Sequence, residues 1–213
     1  MSYKTIIVDI GATGFPQGSF LPKNGEILEP YEFHLFEPRW DRINKDDTSK
    51  IRKKLEKLGL NNDNVFLYNI ALSNKKDVVD FYLTQKGNCS SLREPNDEIL
   101  HNRKDITTYE KIQTPTDTLN NILGHLSHID YLKLDTQGSE YEILLGADEI
   151  LPRVLNIKCE VEYVEMYKNQ KTKNDIVNLL SQHNFKVVGS ANGCQHHCDM
   201  FFKNKKFNEN TNI

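Results

Sequence analysis

An α/β fold built on a mostly parallel sheet is what this sequence predicts, and three observations predict it. Apolar clusters of strand length alternate with segments of helical period along the chain, the pattern of successive βα units. The run Ile6-Ile-Val-Asp-Ile-Gly-Ala-Thr-Gly14 is a short apolar strand breaking into a glycine turn. A second apolar run, Phe33 to Phe36, ends on Glu37, an acid at the strand end where open α/β sheets grip nucleotide-type ligands. Small residues in the first turn let a ligand touch backbone. A carboxylate at Glu37 accepts from two ribose hydroxyls at once.

Taken in order, the strands are expected at residues 5–10, 33–37, 65–70, 131–135, 156–161, 186–188 and 200–203, with an extra pair at 78–83 and 111–114. Ile51, Leu55 and Leu58 share one helical face, with Thr48 or Ser49 as start signal and Gly59 as stop. Leu119, Ile122 and Leu123 before Gly124 predict a short helix. Ser139 and Glu142 have capping-box spacing ahead of Ile143-Leu144-Leu145, so a helix should begin directly after Asp135-Thr-Gln-Gly138. Ile176, Leu179, Leu180 and His183 form another face. Between Gly14 and Glu32, by contrast, Pro16, Gly18, Pro22, Gly25 and Pro30 forbid a long helix. An irregular first crossover is expected there.

At 213 residues the chain suits one domain, placed at residues 1–203, with a polar, asparagine-rich tail at 204–213. The net charge of −3, with acids and bases interspersed, gives no basic footprint for nucleic acid. The first strand is expected within a few residues of Met1, so no signal peptide is expected. No apolar run approaches the roughly 20 residues of a membrane helix. Four cysteines without an export signal favour a reduced, cytoplasmic protein.

The segment Tyr131 to Glu140 is the second constellation. It places Asp135 at a strand end, followed by a glycine turn and a helix. Lys133 lies inside this apolar strand, where an unpaired ammonium would cost several kcal/mol, and Glu160 on the following strand is its expected partner. Gly193-Cys-Gln-His-His-Cys-Asp199 carries zinc-ligand types. Structural zinc sites draw on two separated clusters, however, and Cys89 and Cys159 are isolated, so a solvated turn competes with that reading. Trp40 suits either adenine stacking or packing against a helix edge. Ser90 and Ser91 suit a loop over a ligand or an ordinary turn. Tyr163 and Tyr167 suit a pocket wall or the core.

Asp9-Ile-Gly-Ala12, Phe36-Glu-Pro38, Asn69-Ile-Ala-Leu-Ser73, Ser90-Ser-Leu92, Thr116-x-Thr-Leu119, Leu132-Lys-Leu-Asp-Thr-Gln-Gly-Ser-Glu140 through Gly146-Ala147, Glu160-Val-Glu162 and Asp199-Met-Phe-Phe202 follow one another as in the FkbM-type methyltransferases. The chain resembles that family over about 200 residues. The resemblance implies a class I, Rossmann-like fold, with a seven-stranded, mostly parallel sheet whose last strand is antiparallel, flanked by helices. It implies S-adenosylmethionine (SAM) as cofactor. The turn Asp9, Gly11, Ala12, Thr13 and Gly14 would hold the methionine end, Glu37 with Pro38 the ribose, and Ile70, Ala71 and Leu72 the adenine; Asp135 and Gln137 would complete the site. Family members commonly methylate hydroxyl oxygens of sugars, glycans or natural products. Two departures stand out: the proline-rich first crossover, and a first strand that begins almost at Met1. Both leave the substrate mouth open or completed by a second copy.

Methyl transfer to a hydroxyl needs in-line positioning and a base within hydrogen-bond reach. Asp135 is the first choice for that base, Glu160 the second and His197, beside His196 and Asp199, the third; no metal ligand set is assigned. The expected partner is a small-molecule or glycan acceptor, and a homo-oligomer is compatible with the sequence. Two alternatives remain open, a non-catalytic SAM- or zinc-binding interaction module and a nicotinamide-dependent oxidoreductase. The second should show a third glycine and a helix at the first turn, and the sequence has neither.

Overall fold

A computed structural model describes residues 4–12, 30–39, 53, 56 and 62–207. The strands are β1 (Thr5–Ile10), β2 (Tyr31–Phe36), β3 (Val65–Tyr68), β4 (Ala71–Leu72), β5 (Asp77–Thr84), β6 (Thr108–Asp117), β7 (Ile129–Leu134), β8 (Val154–Glu162), β9 (Phe185–Ala191) and β10 (His197–Asn204). Seven of them form one sheet in the order β3-β2-β1-β7-β8-β10-β9. All its strands run parallel except β10, which is antiparallel to both β8 and β9. This is the predicted Rossmann-like sheet with its last strand reversed. The order reverses direction between β1 and β7, the topological switch point at which such sheets bind ligands.

A three-stranded sheet, β4-β6-β5, stands beside it. The extra pair is thus present, longer than expected, as antiparallel β5 and β6. The expected 65–70 strand is shorter: β3 stops at Tyr68, and the Ala71–Leu72 that follows pairs with β6.

Alternation along the central strands sorts residues onto two faces. Val8 and Ile10, Leu132 and Leu134, Ile157, Cys159 and Val161, and Met200 and Phe202 belong to one buried apolar cluster. It is completed by α1 (Leu119–Leu123), α2 (Glu140–Leu145) and α3 (Lys173–Gln182). The intervening residues Asp9, Lys133, Lys158, Glu160 and Asp199 put a row of charges on the opposite face.

Helix starts separate expectation from outcome. Thr118 caps α1 by accepting the Asn121 N–H at 3.1 Å, and Thr172 with Asp175 forms a capping box at α3. The box expected from Ser139 and Glu142 is not formed: the Ser139 side chain makes no capping bond, and Glu142 turns to Arg93, 2.7 Å away. Glu140 takes over the turn, accepting from the backbone N–H groups of Thr136 and Gly138 at 2.6 and 2.9 Å.

The boundary of the polar tail also needs correction. Asn204 ends β10, is buried, and donates from Nδ2 to the Val154 carbonyl at 3.0 Å, so its side chain is held by β8. The first crossover at 13–29, the face of Ile51, Leu55 and Leu58, and Trp40 lie outside the described residues. Lys53 and Glu56, on the same segment as that face, are helical.

Gly146 tests the packing of the end of α2 against Ser73, the residue after β4. A Cβ there would stand 2.2 Å from the Ser73 carbonyl oxygen, whereas one at Gly189 would meet only Phe201, at 3.9 Å. Gly146→Ala should therefore lower the urea midpoint, by the roughly 1–3 kcal/mol typical of overpacking. Gly189→Ala should leave it unchanged within error.

Candidate active site

Three strand ends converge at the switch point. Gly11 follows β1 with φ +78°, and a Cβ there would lie 1.9 Å from the Asp135 carbonyl oxygen, so only glycine lets the two turns close. The N–H groups of Gly11 and Ala12 both donate to the Phe36 carbonyl, and Asp135 N–H donates to Ile10. These bonds fix the ends of β1, β2 and β7 relative to one another.

Between them opens a cleft of about 470 Å³. Of the residues expected at the cofactor, Gly11, Glu37, Pro38, Ile70, Ala71, Leu72, Asp135 and Gln137 line it, together with Phe36, Arg39, Phe81, Ser90 and Ser139. Glu37 is 3% exposed, and its Oε1 accepts from the Arg39 backbone N–H and Nε at 3.1 and 3.0 Å. Thr13 and Gly14 lie outside the described residues. Asp9 and Ala12 do not line the cleft: Ala12 is buried, and Asp9 turns the other way, into an ion pair.

That ion pair is with Lys133, at 2.9 Å, which corrects the expected Lys133–Glu160 pair. In the parallel β1–β7 register Asp9 stands opposite Lys133, so the adjacent strand supplies the acid, and the Asp135 carboxylate adds a second at 3.7 Å. Burial pulls the Lys133 pKa down, but Asp9 and Asp135 outweigh it and hold the ammonium above its ordinary range. Lys158, next along the charged face, pairs with Asp199 at 3.0 Å.

A second cavity of about 580 Å³ adjoins the cleft, lined by Lys86, Asn88, Cys89, Arg103, Ile106, Gln137, Glu160, Glu162, Met166 and His197. Asn88 and Gln137 belong to both spaces. Gln137 has φ 62°, a left-handed conformation that non-glycine residues adopt at a cost and that concentrates at working sites. Its amide is fully used. Nε2 donates to Asp135 at 3.0 Å and Glu160 at 2.6 Å, while Oε1 faces the Tyr167 hydroxyl at 3.0 Å. Ser91 Oγ holds the Gln137 carbonyl at 2.7 Å, so this serine braces the turn, whereas Ser90 lines the cleft.

Glu160 also faces His197, with Nδ1 3.1 Å from Oε1. Burial pushes the Glu160 carboxyl up, and the hydrogen bond to Glu160 holds the His197 imidazolium above its usual 6.5. Of the candidate bases, Glu160 and His197 thus line the second cavity, while Asp135 lines the first. Asp199 is occupied by Lys158 and Asn192. Cys198 faces the apolar core from the strand position after His197, and Cys194 is exposed. No group of three or more His, Cys, Asp or Glu able to hold a metal occurs among the described residues.

Reasoning from sequence missed Ser139, Glu140, Glu162, Asn88 and the cations of the second cavity. Ser139 is 3% exposed, its Oγ has no hydrogen-bond partner among the described residues, and it borders the cleft. A serine at a helix start reads as a cap, which concealed it. Glu140 is buried, and desolvation pushes its carboxyl up to about 7. Its legible signal was an acid directly before an apolar helical face.

Residues 24–187 match the family model described as the methyltransferase FkbM domain. A search of curated proteins found no match. Among solved structures, methyltransferase FkbM from Methylobacillus flagellatus KT aligns with a TM-score of 0.54 at 14% identity, covering 95% of this chain and 44% of that one. The chain thus spans less than half the length of that relative, and the likeness shows a shared fold. Magnesium protoporphyrin IX methyltransferase from Synechocystis PCC 6803 with bound SAM aligns at TM-score 0.47, 8% identity and 94% and 70% coverage. The N-terminal domain of EvdMO1 with S-adenosylhomocysteine (SAH) bound aligns at 0.44, 10%, and 93% and 73%.

Two stability measurements check these electrostatics. Lys133→Met leaves buried carboxylates uncompensated and should cost roughly 3–5 kcal/mol in urea denaturation; adding Asp9→Asn should restore part of it. Because folded Glu140 holds its proton up to about 7 and the unfolded chain releases it near 4.5, its contribution is complete below about 4.5 and is lost as pH rises through 7. The stability deficit of Glu140→Gln should be widest at about pH 4 and narrow by pH 8, by no more than roughly 3 kcal/mol.

Proposed function

Since the chain belongs to the FkbM methyltransferase domain family, we propose that it is a SAM-dependent methyltransferase acting on a hydroxyl oxygen of a sugar, glycan or natural product. The observation that carries this reading is the pair of adjoining spaces sharing Gln137 and Asn88, one bordered by Glu37 and Gly11, the other by Glu160 and His197. A cytoplasmic location belongs to the same reading, on cysteine usage alone.

The residues of the cleft fit the cofactor. Glu37 offers a carboxylate to ribose hydroxyls, Phe36, Ile70, Leu72 and Phe81 offer apolar surface to an adenine, and Ser139 offers a buried hydroxyl with no partner among the described residues. When bound, SAM supplies an electrophilic methyl group on a sulfonium and becomes SAH once the acceptor oxygen has taken it. Everything else falls to the chain. Walls on both sides of Gln137 would hold the acceptor oxygen against the methyl, the positioning that supplies much of the rate.

The acceptor proton must leave as the C–O bond forms. His197 presents Nδ1 to Glu160, so Nε2 is the nitrogen left to accept that proton, and the Glu160 carboxylate stabilises the imidazolium that results. Asp135, first choice as base on sequence grounds, is assigned instead to the cofactor side, since its carboxylate meets Gln137 and Lys133.

Calorimetric titration with SAH should give one-to-one binding, and NAD none; the opposite pattern would replace this reading with the oxidoreductase. Glu37→Ala should weaken SAH at least tenfold without loss of fold. With an acceptor in hand, His197→Asn should lower kcat at least a hundredfold at unchanged SAH affinity. Parent turnover should rise with pH through a pKa above 6.5, because only neutral His197 accepts a proton; a flat profile would remove His197 as the base.

A further inference from the structure

The second cavity has two walls of different charge. On one side Glu160, Glu162 and His197 stand on β8 and β10, Glu162 only 3% exposed. On the other side Lys86 and Arg103 come from two loops bound to each other, Lys86 N–H donating to the Asp105 carbonyl at 2.7 Å. Cys89, Ile106 and Met166, part of a small apolar cluster, complete the lining.

The hydrogen-bonding capacity left for a ligand differs between the walls. Both oxygens of Glu160 are already engaged, by His197 and Gln137. Arg103 commits Nε and Nη2 to Asp105 at 3.0 Å each, leaving Nη1. The Lys86 ammonium is exposed and has no salt-bridge partner among the described residues. With Arg103 paired to Asp105, the Lys86 charge is left uncompensated at the rim among the described residues, whereas both oxygens of Glu160 are already taken. An ammonium on the acceptor would have to displace Gln137 or His197 and would face Lys86. An anion meets open donors.

Resting on the methyltransferase reading of the adjoining cleft, we propose that this cavity takes an acidic polyhydroxylated acceptor, its carboxylate or phosphate held at Lys86 and Arg103 and its reacting hydroxyl at Glu160 and His197. The ion pair at the exposed rim selects the acceptor and sets its orientation. The reacting end lies against the buried wall beside Gln137.

The test is calorimetry on SAH-saturated protein with four probes of one ring size: glucose, glucosamine, glucuronate and glucose 6-phosphate. At least one acidic probe should bind tenfold or more tightly than glucose, and whichever does so identifies the anion as carboxylate or phosphate. Lys86→Gln should abolish that gain at unchanged SAH affinity, and added salt should shrink it in the parent. Preference for glucosamine, equal binding of all four, binding of none, or a gain that survives Lys86→Gln overturns the proposal. SAH binding without acid discrimination overturns this inference alone; no SAH binding overturns it together with the methyltransferase reading.

Discussion

Lys133 is the constraint around which the centre of this protein is arranged. It stands buried on β7, opposite β1 and just before the Asp135–Gly138 turn, and a buried ammonium persists only where acids surround it. Asp9 meets it across the strand pair and Asp135 from its own strand end. The pairing ties the two strands on either side of the switch point through their side chains, in addition to the ladder bonds. It also sets which way Asp135 leans, and through Gln137 the position of Glu160. The charged face of the sheet is thus a connected series in which each group is oriented by the one before it.

The same series explains why two spaces exist. Gln137 sits in a left-handed turn, braced from behind by Ser91 and from the side by Tyr167, and its amide bridges the carboxylates of two strands. Tyr167 is fully buried, its hydroxyl 3.0 Å from both Gln137 and the Cys89 carbonyl. Segments distant in sequence, the 87–89 turn, the 135–138 turn and the stretch after β8, therefore meet at one amide side chain. A boundary between the two spaces held by four hydrogen bonds is rigid, which suits the alignment that the proposed methyl transfer would need.

Residues on regular strands were readable because their surroundings are repetitive. The strand-end positions of Gly11, Glu37 and Asp135 followed from apolar runs stopping at a glycine or an acid. Lys133 was recognisable as a charge that needs a partner, yet Glu160 was the wrong partner, since sequence gives no strand order and Asp9 lies 124 residues away. Ser139 and Glu142 have capping-box spacing, but competing partners, Arg93 for Glu142 and Glu140 for the turn, took the geometry elsewhere. The rim cations Lys86 and Arg103 carried no signal at all, because they sit on loops whose path periodicity does not encode.

What the sequence determined by itself is the fold class, the reversed last strand through its likeness to a known family, and the acids and glycines at the carboxyl ends of the first strands. Those follow from local rules, hydrophobic period and the steric freedom of glycine, which act over a few residues. Only the tertiary structure decided who faces whom: Asp9 on Lys133, Glu160 on His197, Gln137 between two cavities. Those pairings depend on strand order and register, and a carboxylate's role is set by which charge lies within a few ångströms of it.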